Sequence, residues 1–303
     1  MVRKSRLLGE GDIEVSFEFF PPKSAAMEES LWQSIRRLEP MQPEFVSVTY
    51  GAGGTTRERT HNTVARIVKE TKLKPAAHLT CVDATTAEVD AVAKEYWEAG
   101  VRHIVALRGD PAAGVGERYE PTAGGYANSA DLTAGLKAIA PFEISVAGYP
   151  EMHPESGNEQ ADLDFLKAKV DAGADRIITQ FVFDQDYYLR YLEKVRAAGI
   201  WVPVTPGIIP IHNFPQVSNF ARKTGASIPS WLSRRFDGLE SDPGSTHLVA
   251  AAMATEQVML LADNGVKQFH FYTLNRADLV YAICHMLGLR PTALPQQRSA
   301  DAA

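Results

Sequence analysis

Eight short apolar runs recur along this chain, separated by stretches with helical periodicity. They are Val15–Phe19, Phe45–Thr49, Ala76–Thr80, His103–Leu107, Glu143–Ala147, Arg176–Gln180, Val202–Thr205 and Gln268–Tyr272. Strand alternating with helix requires parallel strands joined by crossover connections, and eight such units predict an α/β fold, a closed (β/α)8 TIM barrel. A barrel of this kind collects its chemistry at the C-terminal ends of the strands. The endings here are Glu18 in SFEFFPP, Thr49 and Tyr50 in TYGAGG, His78 in HLT, Arg108 and Asp110 in LRGD, the turn AGYPEMHPE, Gln180 in ITQ, TPGI, and Tyr272 in FYTLNR. One polar ending is weak evidence of function. A polar or glycine-rich ending on nearly every unit, all at one face, is much stronger.

Size and charge narrow the function classes. The chain has 303 residues, 45% hydrophobic and 22% charged, which suits one barrel over residues 1–290 followed by a loose Pro-, Gln- and Ala-rich tail over 291–303. A formal net charge of -6 argues against nucleic acid as the main partner. Cys81 and Cys284 have no metal-ligand spacing, and no HxH or HExxH string occurs, so no metal site is expected. MVRKSRLLGEGDIEV turns polar before an apolar segment forms, and no run is long enough to span a bilayer. The expected location is the cytoplasm, away from membranes.

Helical periodicity covers Glu29–Arg37, Thr56–Glu70, Thr86–Glu98, Leu132–Ile139, Ala161–Ala172, Gln185–Ala197, His247–Asp263 and Arg276–Leu287. Two of these end in a glycine stop, EAG at Gly100 and DAG at Gly173, each just before a strand. The long segment from Asp110 to Ser129 and the extra helical material over Asn213–Asp237 both fall on the expected active face.

Glu18 is the sharpest single residue. Alternation in VSFEFF sets Val15, Phe17 and Phe19 on one face and Ser16, Glu18 and Phe20 on the other. Glu18 then points toward the barrel axis beside aromatic rings. Lost hydration should raise its pKa and fit it to act as a general acid. The plainer reading is a structural glutamate paired with an arginine inside the barrel. In LRGD, Gly109 permits a sharp turn, so that Arg108 and Asp110 both reach the mouth. Arginine suits phosphate, and aspartate suits a ring N–H or a developing cation. A local Arg108–Asp110 ion pair is the alternative. YPEMHPES supplies Tyr149, Glu151, His153 and Glu155 in one turn, suited to polar contacts with an organic cofactor. Gln180 offers a paired donor and acceptor to a heterocycle. Asp162 and Lys169, seven residues apart on one helix face, read by default as helix surface. Phe181, Phe183, Tyr187 and Tyr188 read as core and loop packing. No GxGxxG and no GxxxxGK[ST] occurs, so a Rossmann unit or P-loop has no support.

Taken in order, FEFFPP, SVTYGAGG, HLTC, LRGD, YPEMHPE, DAGADRIITQFVFD, PGI and FHFYTLNR resemble methylenetetrahydrofolate reductases from about Val15 to Arg290. Each string alone is weak, and the ordered set is specific. The chain looks like the short bacterial type, a catalytic barrel without an appended regulatory domain. The resemblance implies an enzyme that binds FAD. NADH or NADPH would reduce the flavin in a ping-pong cycle, and the flavin would then reduce 5,10-methylenetetrahydrofolate to 5-methyltetrahydrofolate for methionine synthesis. It implies Glu18 as the acid that protonates N10 of the folate, and Asp110 as the acidic group beside the flavin pyrimidine edge. Thr49, Tyr50 and Ala52 match contacts of the shared flavin and nicotinamide region. His78, Arg108, Gly109, Tyr149, His153, Asp162 and Lys169 match FAD contacts. Gln180, Gln216, Phe220, Tyr272 and Arg276 match the substrate side.

This sequence departs from the family pattern at two places. The Tyr-Ala pair before the DL helix falls on Tyr126–Ala127, with extra spacing at Asn128–Ala130 and Tyr119 as the second candidate. Ala168 stands where relatives can carry arginine. The sequence leaves open a homo-oligomer and the choice of NADH or NADPH. Two other readings compete: a flavin barrel that oxidises an amino acid, as proline dehydrogenases do, and a non-catalytic barrel that binds folate or flavin as a sensor.

Overall fold

The computed structural model describes residues 8–9, 11–50, 57–110 and 119–292. Its strands form one sheet, parallel at every pairing: β1 (Glu14–Phe19), β2 (Val46–Val48), β3 (Pro75–Thr80), β4 (His103–Leu107), β5 (Glu143–Gly148), β6 (Arg176–Thr179), β7 (Val204–Thr205), β8 (Gly207–Ile208) and β9 (Gln268–Tyr272). Their order is β7-β6-β5-β4-β3-β2-β1-β9-β8. The two ends of that order, β7 and β8, are separated in sequence only by Pro206. The sheet therefore curls into the expected barrel, with eight strand positions and a seam at the seventh.

The seam differs from the expected seventh strand, Val202–Thr205. Pro206 has no N–H to give to the ladder. Its carbonyl still accepts from His270 N–H at 3.0 Å. β7 pairs with β6 on one side, and β8 pairs with β9 on the other. Gly207 makes the tight passage feasible. A Cβ there would lie 2.4 Å from the Thr179 carbonyl oxygen and 2.5 Å from the Tyr272 ring.

Helices return between the strands: α1 (Ala25–Leu38), α2 (Arg57–Glu70), α3 (Thr86–Glu98), α4 (Ser129–Ile139), α5 (Glu159–Asp171) and α6 (Gln185–Ala197). Between β8 and β9 lie α7 (Phe214–Thr224), α8 (Ser230–Phe236) and α9 (Pro243–Asp263), and α10 (Ala277–Met286) closes the order. Local chemistry sets their starts. Asn158 Oδ1 accepts from Ala161 N–H at 2.9 Å, and Asn213 Oδ1 accepts from Gln216 N–H at 2.9 Å, satisfying donors that have no partner within the helix. Gly100 and Gly173 follow α3 and α5 with φ of +92° and +111°, as the EAG and DAG stops imply. The expected C-terminal tail begins with a contact: Thr292 N–H donates to the Pro40 carbonyl at 2.8 Å, and residues 293–303 lie outside the described part.

Strand alternation divides the core in two. Val15, Phe17 and Phe19 face outward into the large cluster with Leu31, Ile35 and Leu38 of α1. Inside the barrel Phe45, Ala76, Val105 and Ile178 form a second, smaller cluster. Register sets Ser16 beside His270, and Glu18 between Ser47 and Tyr272. The N-terminal end of the barrel is filled. Phe45 packs edge-on to His103 at 4.6 Å and stacks on His270 at 5.6 Å, with the Arg176 guanidinium 4.9 Å from its ring centre. Arg176 is buried and pairs with Glu143 at 2.8 Å and with Glu44. Functional chemistry is therefore confined to the opposite, C-terminal end. Cys81 and Cys284 are both buried free thiols. Among the described residues no helix is long and apolar enough to cross a membrane.

The seam yields a test of the packing. Gly207→Ala should lower unfolding stability by about 1–3 kcal/mol through overpacking against Thr179 and Tyr272. Urea denaturation should show a lower midpoint with an unchanged slope. An unchanged midpoint would mean that the passage is not tight.

Candidate active site

A cavity of about 360 Å³ opens at the C-terminal end of the strands. Its wall brings together Glu18, Thr49, Tyr50, His78, Asp110, Tyr149, His153, Gln180, Phe220 and Tyr272, ten of the residues singled out in the sequence. Part of the wall is apolar, with Val105, Leu107, Ala147 and Ile178. Most of the polar groups sit where strands end, as the fold requires.

Glu18 lines this cavity and is 9% exposed. Its partners are imidazoles, not the arginine that a structural glutamate would need. His78 Nε2 and His270 Nε2 approach the same oxygen, Glu18 Oε2, at 3.3 and 3.5 Å, and the Ser47 hydroxyl reaches it at 3.5 Å. These contacts are long for hydrogen bonds. His270 is fully buried, and its Nδ1 hydrogen-bonds the Ser16 hydroxyl at 2.7 Å, which fixes the ring. Burial pushes the Glu18 carboxyl up, as the sequence suggests. His270 and then His78, by hydrogen bonding and charge, outweigh burial and hold it at about 2. The expected rise is thus corrected. Burial lowers the pKa of His270, against the pull of Glu18.

The LRGD turn is built on Gly109, whose φ is +85° and whose added Cβ would lie 2.4 Å from Val82 Cγ1. Arg108 does not pair locally with Asp110. It reaches across to Glu155 in the loop after β5 as a two-pronged ion pair, at 2.5 and 2.7 Å. The hydrogen bond to Glu155 raises the Arg108 pKa, and its counterpart lowers that of Glu155. Asp110 is left lining the cavity. The Tyr119 ring lies 4.8 Å from the Arg108 guanidinium carbon, and its hydroxyl is 3.8 Å from Cys81 Sγ.

The loop after β5 is fixed from several sides. His153 packs edge-on to Tyr149 at 4.5 Å, and its Nδ1 accepts from Glu155 N–H at 3.1 Å. Burial lowers its pKa, so the ring is neutral near pH 7 with its proton on Nε2. Glu151 accepts from Ser227 N–H with both oxygens at 3.1 Å, and the Ser227 hydroxyl donates to it as well. Gln180 accepts from Phe181 N–H through its side-chain oxygen at 3.1 Å, which leaves its amide N–H groups as donors. Phe181 is more than core. It lines the cavity and lies 5.5 Å from the Phe220 ring and 6.2 Å from the Tyr272 ring. The Tyr272 hydroxyl donates to the Thr179 carbonyl at 2.8 Å, and burial raises its pKa.

A profile of the methylenetetrahydrofolate reductase family matches residues 3–288. A 5,10-methylenetetrahydrofolate reductase of Salmonella typhimurium is 52% identical over 284 residues, 93% of either chain. The chain belongs to the methylenetetrahydrofolate reductase family. It is accordingly an enzyme. The Escherichia coli 5,10-methylenetetrahydrofolate reductase is likewise 52% identical over 93% of each chain. Among solved structures, an uncharacterised Clostridium thermocellum protein that binds two copies of 5-methyl-5,6,7,8-tetrahydrofolic acid superposes with a TM-score of 0.61. It is 13% identical and covers 90% of this chain and 93% of its own, a likeness that speaks for the fold.

The remaining residues that the family resemblance singles out are placed less simply. Lys169 is not helix surface. It is 5% exposed, and its ammonium donates to the Ala147 carbonyl at 2.5 Å, within reach of the charge of Asp162. Asp162 itself accepts from the Ser156 hydroxyl at 2.7 Å. Tyr126 turns away from the cavity. Its hydroxyl donates to Asp90 of α3 at 2.6 Å, its ring packs on Gly135 of α4, and Ala127 beside it is exposed. Gln216 contacts His212 at 3.2 Å, and Arg276 is exposed at the start of α10. Neither lines the cavity. Ala52 lies outside the described residues. Ser16, Ser47, His270 and Lys223 belong to the site without having been singled out for it. The signal for His270 was present: it is two residues before Tyr272 on one strand, hence on the same inward face.

Lys169 provides a titration test. Burial lowers its pKa from 10.5 to about 8, against the pull of Asp162. Between those values the unfolded chain holds a proton that the folded chain has lost, so stability rises with pH. Relative to Lys169→Met, wild-type stability should be flat below pH 8 and climb by on the order of 3 kcal/mol between pH 8 and 10.5. Urea unfolding across that range measures it, and a flat difference would refute the buried ammonium.

Proposed function

We propose that this enzyme reduces 5,10-methylenetetrahydrofolate to 5-methyltetrahydrofolate with electrons from NADH or NADPH carried through bound FAD. The observation that carries this reading is the buried Glu18 carboxyl with its two imidazoles, facing a cavity walled by Gln180 and aromatic rings, in a chain of this family. The same cavity argues against a sensor, since burying a carboxylate beside two histidines serves no purpose in simple ring binding. Family membership leaves the amino-acid-oxidising barrel without support.

The residues present fit FAD. An apolar wall of Val105, Leu107, Ala147 and Ile178 suits a flat ring system, and Asp110 and His153 supply polar partners at its edge. Lys169 is a buried ammonium with one hydrogen bond among the described residues, a donor suited to a phosphate oxygen. Arg108 would add a planar fork to the same anion once Glu155 yields it. When bound, FAD would take a hydride from NAD(P)H and give one to the one-carbon unit of the folate.

The chain's own part is orientation and proton delivery. Gln180 would hold the pterin edge through its free amide donors. Phe220, Phe181 and Tyr272 would pack against the rings of the ligand. Glu18 would give a proton to N10, opening the five-membered ring to an iminium ion, and Asp110 would favour the cation that forms. A carboxyl held at about 2 is a poor acid by itself at neutral pH. Burial alone would raise it, and the contacts with His270 and His78 hold it down. A proton passed to Glu18 from a neighbouring imidazole would leave a neutral carboxyl, the form that burial favours, and Glu18 would then give it to N10.

Glu18→Gln keeps the shape and removes the acid. Folate reduction should fall by about 10²–10⁴-fold. Flavin bleaching by NADH or NADPH, followed by stopped-flow absorbance, should stay within about threefold, since that step does not use the acid. Unchanged folate reduction would refute the role of Glu18. A protein that gains no flavin spectrum on reconstitution with FAD would refute the cofactor.

A further inference from the structure

The cavity wall holds three carboxylates, those of Glu18, Asp110 and Glu155, and a single side chain from the lysines and arginines among its described lining residues, Lys223. Glu155 is already taken by Arg108. Lys223 is exposed and makes no hydrogen bond or ion pair with any described residue. It stands on α7 three residues after Phe220 and seven after Gln216, so the three share one face of the helix. That face presents an aromatic ring at the cavity with a cation one turn beyond it.

The position of Lys223 is fixed by its surroundings. Asn213 caps the start of α7. Just past its end, Gly225 adopts φ +77° and lies so close to the loop after β5 that a Cβ would sit 3.0 Å from Pro154. Ser227 ties the following residues to Glu151 of the same loop. A lysine in a last helical turn also complements the helix dipole, but its neighbour Arg222 can do that too, from another face of the helix that lines a separate surface groove with Phe214 and Ser233. Lys223 is the one of the pair that the helix turns toward the cavity.

Taking the functional reading above as its basis, we propose that Lys223 is a specificity residue that binds the anionic arm of the ligand whose ring packs on Phe220. Two ligands of the reaction carry such an arm. One is the folate, with its glutamyl carboxylates. The other is the dinucleotide, with its phosphates.

Equilibrium binding to the FAD-loaded enzyme separates them. NAD+ and NADP+ would be titrated into the oxidised enzyme. Mono- and triglutamyl 5-methyltetrahydrofolate would be titrated into the dithionite-reduced enzyme under argon. Lys223→Met should weaken one ligand class by about threefold to tenfold, more at low salt than at high salt. Lys223→Arg should restore it, and Arg222→Met, with the same loss of charge in the same turn, should change nothing. A larger loss for the triglutamyl folate assigns carboxylates, and a larger loss for NADP+ assigns phosphate. Wild-type binding of both classes with Lys223→Met unchanged throughout would overturn the proposal alone. A wild type that binds neither would overturn the functional reading and this inference with it.

Discussion

Removing a carboxylate from water costs several kcal/mol unless charge or donors replace the lost hydration. Glu18 is removed from water at the axis of the barrel, and the strands around it are arranged to replace that hydration. β3 brings His78, β9 brings His270 and β2 brings Ser47, each at an inward-facing register position. β1 supplies Ser16 to hold His270 from behind. Four strands thus cooperate in solvating one side chain. The same requirement accounts for the hydroxyl-rich interior beside Ala76 and Val105, where an entirely apolar filling would leave the charge unmet.

Around this centre, loops from distant strands are fastened to one another. Arg108 after β4 grips Glu155 after β5, and Glu151 in that same loop grips Ser227 after α7. These ties give long connections the fixed positions that a binding site needs. They also link the turn after β4 to the helix that carries Phe220 and Lys223.

Much of this was legible in the sequence. The eight units, the strand ends and the inward direction of Glu18 follow from periodicity alone, because alternation fixes which side chains share a face. What sequence did not reveal depends on partners far apart in the chain. The low pKa of Glu18 comes from His78 and His270, 60 and 252 residues away, so burial alone gave the wrong sign. Arg108 chose Glu155 over its neighbour Asp110 because the fold brings the loop after β5 across the mouth. Lys169 looked like helix surface because its helix has a weak apolar face, while the β5 carbonyl of Ala147 that receives its ammonium is invisible to periodicity. Tyr126 matched a family string, yet Asp90 of the preceding helix claims its hydroxyl. The seventh strand was read only to Thr205, because its resumption at Gly207 past Pro206 depends on pairing with β9.

The filled base of the barrel has a consequence for turnover. Phe45, His103 and Arg176 occupy the N-terminal end, so the Glu18 cluster meets solvent from the mouth side. A ligand seated across that mouth separates the cluster from bulk water. Any proton consumed beneath the ligand must therefore be loaded before the ligand arrives, and reloaded after it departs. The cavity is a vestibule with one door: whatever reaches Glu18 and its paired imidazoles, a proton included, enters and leaves by the mouth.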